Sequence, residues 1–247
     1  MGKLLEICAG SLTSCLAAQD GGAQRVELCD NLEAGGTTPS WGMLAVARER
    51  LEIGLHAIVR PRGGDFLYSA AEFEVMARDI DVCRRLGVDG VVIGLLTADG
   101  DIDVARTRQL VELAAPMAVT FHRAFDLVCD PSRALEDVIA AGCHRLLSSG
   151  QAATAAEGAA LLAGLRQQAG ARLTVMPGAG IAADNIAGLA RATGCREFHA
   201  SARTEMASGM RFRRAGVSLG PPGADEYARR ETSVDLVRQL RAALERL

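Results

Sequence analysis

The chain is poor in aromatic residues, with one Trp, two Tyr and six Phe in 247 residues, and its net charge is only −3. It therefore offers no basic footprint for nucleic acid and no juxtamembrane cluster. No apolar run approaches the ~20 residues that a membrane span needs. There is no Pro/Ser-rich linker to divide the chain. Met1-Gly2-Lys3-Leu4-Leu5-Glu6 opens like a myristoylation signal but has no Ser or Thr at the sixth position. Seven cysteines, an odd number scattered through the length, do not suit a disulfide scaffold. What is left is small-molecule chemistry in a reducing, cytoplasmic setting, without nucleic acid or membrane partners.

What the sequence does have is alternation. Short apolar, β-branched runs at Leu4–Cys8, Arg25–Cys29, Leu55–Val59, Gly90–Ile93, Ala118–Phe121, Arg145–Leu147, Arg172–Met176 and Glu197–His199 read as eight strands, each followed by a helical pattern. Helix starts are signalled by the capping-box spacings Ser69/Glu72 and Thr154/Glu157 and by Asp130-Pro131. Gly87, Gly142 and Gly194 stand where helices should stop. Eight strand–helix units of about 31 residues each predict a single-domain (β/α)8 TIM barrel spanning residues 1–247. The competing doubly wound sheet would want a dinucleotide fingerprint, but the first turn reads Ala9-Gly10-Ser11-Leu12.

A barrel carries its chemistry at the C-terminal strand ends. There the sequence places Glu6 and Cys8, Glu27 and Cys29, Arg60 and Arg62, Asp99, His122 and Arg123, Ser148 and Ser149, then His199 and Ser201. The first two pairs repeat one triplet, Glu-x-Cys, twenty-one residues apart. Alternation along a strand points Glu and Cys of each triplet to the same face, so neighbouring strands would bring two carboxylates and two thiols together.

Arg60-Pro61-Arg62-Gly63-Gly64 supplies two guanidinium forks and close-approach glycines, a pattern suited to a carboxylate or phosphate. Equally, these arginines could neutralise Glu6, Glu27 or Asp65 in a buried network. His122 is the first acid/base candidate, and His199 has the same position with less support. His56 and His144 read as structural. The turns Ser148-Ser149-Gly150 and Met176-Pro177-Gly178-Ala179-Gly180 invite phosphate, although short turns need glycine for geometry alone.

Six segments carry a resemblance across nearly the whole chain: Gly21 to Cys29, Gly35-Gly36-Thr37-Thr38-Pro39-Ser40, Arg60 to Tyr68, Leu96-Thr97-Ala98-Asp99-Gly100, Val119 to Asp126, and Phe198-His199-Ala200-Ser201-Ala202. Together they resemble the CutC copper homeostasis proteins. The resemblance implies a cytoplasmic (β/α) barrel, often oligomeric, that takes part in controlling intracellular copper, with Cys8 and Cys29 at the family's Glu-x-Cys positions. The turns at Pro177-Gly178-Ala179-Gly180 and Ser148-Ser149-Gly150 depart from the family's usual Gly-rich and Thr-Ser-Gly forms.

Two functions follow. Cys8 and Cys29 could hold Cu(I), because soft thiolates select it and two suffice for low coordination. No organic cofactor is expected. Alternatively, the barrel is an isomerase, epimerase or lyase acting on a small anionic or phosphorylated metabolite. In that reading Glu6, Glu27 and His122 are catalytic, while Arg60, Arg62, Arg123, His199 and Ser201 bind the substrate. The long segment from Ala202 to Ala224, with Pro221-Pro222, could cap the site or pack on a second copy in a homo-oligomer.

Overall fold

A computed structural model describes residues 2–217 and 225–247. Eight parallel strands form the barrel: β1 (Leu4–Ala9), β2 (Arg25–Leu28), β3 (Gly54–Ile58), β4 (Gly90–Ile93), β5 (Ala118–Phe121), β6 (Arg145–Ser148), β7 (Thr174–Pro177) and β8 (Glu197–Ala200). Their order around the sheet is sequential, with β8 beside β1. The ring closes between β7 and β8 through one parallel bridge, Gly178 to His199. A Cβ at Gly178 would lie 2.5 Å from Leu147 Cδ1, so a larger residue at this seam would have to displace that side chain.

Eight helices surround the strands: α1 (Leu12–Asp20), α2 (Trp41–Arg50), α3 (Ala70–Arg85), α4 (Val104–Ala114), α5 (Pro131–Ala140), α6 (Ala159–Ala169), α7 (Ile186–Thr193) and α8 (Val234–Glu245). The Ser69/Glu72 capping box forms at α3, and Asp130 caps α5 ahead of Pro131. Thr154 and Glu157 also exchange their two hydrogen bonds, but on the turn before α6, whose own first flanking residue is Gly158.

Strand alternation sorts the residues into two cores. Leu5, Ile7 and Ala9 of β1, Val26 and Leu28 of β2, and Leu55 and Ala57 of β3 face outward and pack under the helices in the main core. Their neighbours Glu6, Cys8, Arg25, Glu27 and His56 face the barrel axis. A smaller apolar cluster of Cys29, Ile58 and Val92, with Cys8 and Leu32 against it, fills the upper part of the interior. The lower part is ionic, a departure from the bulky aliphatic layers that commonly fill such barrels.

β7 begins two residues later than the sequence pattern suggests. Pairing with β6 starts at Thr174, opposite Arg145, while Arg172 turns out to Glu136 on the surface. The loop expected from Ala202 to Ala224 starts instead with a strand, β9 (Arg203–Ala207), which pairs antiparallel with β10 (Ala228–Thr232) beyond its far end. These strands, RTEMA and ARRET, are charged and mostly exposed, and so carry no apolar period to find. The hairpin is tied to the start of α1, where Ser11 and Ser14 hydroxyls donate to Glu231 at 2.5 and 2.6 Å. Pro221-Pro222 lies outside the described residues.

Candidate metal centre and its cavity

At the bottom of the interior, Arg25 donates to Glu6 and, at 2.6 Å, to Glu197. Arg145 reaches Glu197 at 2.6 Å from the other side. Above them His199 Nδ1 lies 2.7 Å from Glu6, and His199 Nε2 lies 3.7 Å from Glu27. His56, packed so tightly that a Cβ on Gly90 would lie 2.5 Å from its ring, stands 4.0 Å from Glu6. Burial works against the Glu6 carboxylate, but Arg25 and then His199 hold it ionised, well below the usual carboxylate range. Burial likewise opposes charge on His199, yet its hydrogen bonds to Cys8 and Glu6 and the field of Glu27 raise it well above the usual imidazole range.

The two Glu-x-Cys triplets do converge, with a two-residue stagger. Glu6 pairs with Arg25 and Cys8 pairs with Glu27 across the β1–β2 ladder, so one carboxylate sits a layer below the other. Cys8 Sγ and Cys29 Sγ are 3.8 Å apart. One ligand atom from each of Cys8, Glu27 and Cys29 lies within 4.8 Å of the other two, the one such metal-capable group among the described residues. The thiols share a hydrogen bond that, against burial and with help from His199, draws the Cys8 thiol well below its ordinary range and leaves Cys29 well above it. Burial lifts Glu27 to about 8, against the opposing pull of His199.

These groups open into a cavity of about 130 Å³ at the C-terminal strand ends, lined also by Ile58, Arg60, Phe66, His122, Arg123 and Leu147. Arg60, 4% exposed, gives Nη1 to the carbonyls of Ala34 and Gly36, both at 2.9 Å, and Nη2 to Gly64 at 2.7 Å. Its guanidinium stacks 4.9 Å over the Phe66 ring, and that ring lies 5.0 Å from His122. His122 Nδ1 accepts from the Ala124 N–H at 3.1 Å. Burial, reinforced by Arg60, lowers His122 to about 3 and keeps the ring neutral.

Several expected site residues are placed differently. Glu6 is not a free acid/base in the cavity: it is locked under His199 by Arg25. Glu6 is paired with Arg25 and His199, whereas Glu27, 3.7 Å from His199, does share the cavity with Arg60 and His122. Arg62 turns to the rim, pairing with Glu72 at 2.5 Å and Asp65 at 2.9 Å, and does not line the cavity. Ser201 lines a neighbouring cleft with Arg203 and Gly180. The turn Ser148-Ser149-Gly150 already cradles an anion of the protein's own. Asp126 accepts from Ser148 Oγ at 2.6 Å, from the Ser149 N–H and hydroxyl, and from Arg123 at 2.7 Å. Arg123 is thereby held at the cavity mouth. Sequence reading missed Arg25, Arg145 and Glu197, which lie at strand starts, and Phe66, whose only sign was its place in the glycine-rich loop.

The geometry defines a (β/α)8 barrel with a largely buried dithiol–carboxylate centre at the C-terminal strand ends. Residues 3–204 match the sequence pattern of the CutC family. A CutC family protein of Chromobacterium violaceum is 74% identical over 246 residues, covering 100% of both chains. One from Xanthomonas campestris is 56% identical over 204 residues, 83% of this chain and 85% of that protein. A Streptococcus agalactiae CutC, described provisionally as a copper homeostasis protein, superposes with a TM-score of 0.77 at 33% identity, covering 81% of this chain and 98% of that one. Phosphoribosylanthranilate isomerase from Thermotoga maritima shares the fold alone, with TM-score 0.61 at 13% identity. The chain belongs to the CutC family.

Proposed function

We propose that this protein serves in copper homeostasis by binding Cu(I) through Cys8 and Cys29, with Glu27 beside them. The observation that carries the reading is the pair of thiols 3.8 Å apart. That separation is less than twice a metal–thiolate bond of ~2.3 Å, so one ion can touch both sulfurs. Thiolate donors favour Cu(I) over harder ions, and the small number of donors suits its low coordination. Protonated His199 offsets the negative charge of the thiolates without competing as a ligand. The ion is cargo, entering from the C-terminal mouth of the barrel.

No helix among the described residues is long and apolar enough to cross a membrane. A homo-oligomer and a cytoplasmic location remain part of this proposal through the family resemblance.

Titration of the reduced protein with Cu(I) against a competing chelator tests it. One site per chain is expected, weakened at least tenfold by Cys8→Ser and by Cys29→Ser. Undiminished binding in both variants would refute the thiol site.

A further inference from the structure

The cavity has a second half that the thiol centre does not use. Arg60 is buried there, yet none of the ion pairs among the described residues involves it. Of its five N–H donors, three are spent on the carbonyls of Ala34, Gly36 and Gly64, which fix the guanidinium without neutralising it. His122, whose ring lies 5.0 Å from that of Phe66, lines the same cavity. Because Nδ1 accepts the Ala124 N–H, the ring's proton is on Nε2, and that buried donor has no partner. Native interiors rarely leave a buried charge uncompensated or a buried donor unpaired without a reason.

From this pair we infer that the Arg60–His122 half of the cavity is a binding site for the carboxylate of a small organic anion. Charge selects the class. Among the described residues Arg60 has no carboxylate partner, whereas Arg123 is paired with Asp126, so the unmatched positive charge on this side is the guanidinium's and calls for an anion. The donors are also few and directional: guanidinium N–H groups and one imidazole N–H suit a planar two-oxygen acceptor. Phe66, under the guanidinium and tilted at 56° to the imidazole, gives the cavity an apolar wall for the remainder of the molecule. Gly94 shows that the His122 placement is built in, since any Cβ there would lie 2.3 Å from the imidazole.

The proposal does not rest on copper binding, and its test is separate. Acetate is titrated into the reduced, metal-free full chain while the imidazole signals of 15N-histidine-labelled protein are recorded, with chloride at equal ionic strength as control. The His122 signal is identified by its loss in His122→Gln. A saturable shift of the His122 Nε2–H resonance is expected with acetate, at least tenfold weaker in Arg60→Gln and kept in the Cys8→Ser/Cys29→Ser double variant. If Arg60→Gln fails to fold, thermal stabilisation by acetate, present in the unsubstituted protein and lost in His122→Gln, carries the same information. No acetate-specific shift, or a shift equal in Arg60→Gln, would overturn the site. Tighter binding of inorganic phosphate than of acetate would overturn the assignment to carboxylates.

Discussion

Substituting Gly94 by alanine probes how rigidly the cavity wall is built. Gly94 follows β4, and its φ lies outside the left-handed range, so alanine is conformationally allowed there and restricts the unfolded chain, a gain of about 0.4–1 kcal/mol. The obstacle is space. The new methyl carbon would lie 2.3 Å from two atoms of the His122 ring and 2.9 Å from Ala124 Cβ. The imidazole must swing away, giving up its 3.1 Å bond from the Ala124 N–H. Overpacking of this kind costs about 1–3 kcal/mol, so the net loss should be about 1–2 kcal/mol. In a chain of this length each kcal/mol moves Tm by roughly 2–4 °C, giving a fall of roughly 2–8 °C. In a His122→Ala background the 2.3 Å contacts vanish and only the Ala124 contact remains, so the same substitution should cost less than half as much. Calorimetry or urea unfolding of the four proteins in the cycle measures this coupling. Equal costs in both backgrounds would refute the claim that Gly94 exists to seat the imidazole.

Other expectations follow from the same geometry. Glu6→Ala leaves Arg25 sharing only Glu197 and strips His199 of its closest acceptor, and should destabilise by about 3–5 kcal/mol in urea unfolding; a loss under 1 kcal/mol would show that the network is slack. His122 is held near 3 when folded, against 6.5 unfolded, so its contribution is fully present above pH 6.5 and is lost as pH falls toward the folded value. Between pH 6.5 and 4.5 it should remove about 2–3 kcal/mol of stability, and His122→Gln should flatten that part of the profile. Burial pushes Cys15, Cys83 and Cys143 up to about 12, whereas Cys129 is exposed and Cys8 is drawn toward thiolate. Iodoacetamide at pH 8 followed by peptide mass spectrometry should therefore modify Cys129 and Cys8 well before those three.

The barrel was legible in the chain because the information that specifies it is local. Period-two apolar runs, the Ser69/Glu72 and Asp130-Pro131 caps, and glycines at helix ends each act within a few residues, and together they mark eight repeated units. The Glu-x-Cys triplets likewise announced their shared face, since alternation in a strand needs no tertiary information. The sequence could not show the register between β1 and β2. That stagger pairs Cys8 with Glu27 and drops Glu6 a layer below, turning one expected carboxylate pair into an ion-network member and a cavity member.

Partners across the barrel lay equally beyond reach. Arg25, Arg145 and Glu197 come from three separate strands, and only closure of the ring lets the last meet the first two. Arg60 and Arg62, two residues apart and alike in sequence, were parted by their surroundings: one folds inward onto backbone carbonyls, the other outward onto Glu72. Composition and pattern determined which side chains reach the end of the barrel. Tertiary structure alone decided which are already neutralised by a neighbour and which, like Arg60 and the thiol pair, remain to meet something from outside, because charge compensation depends on contacts between distant strands.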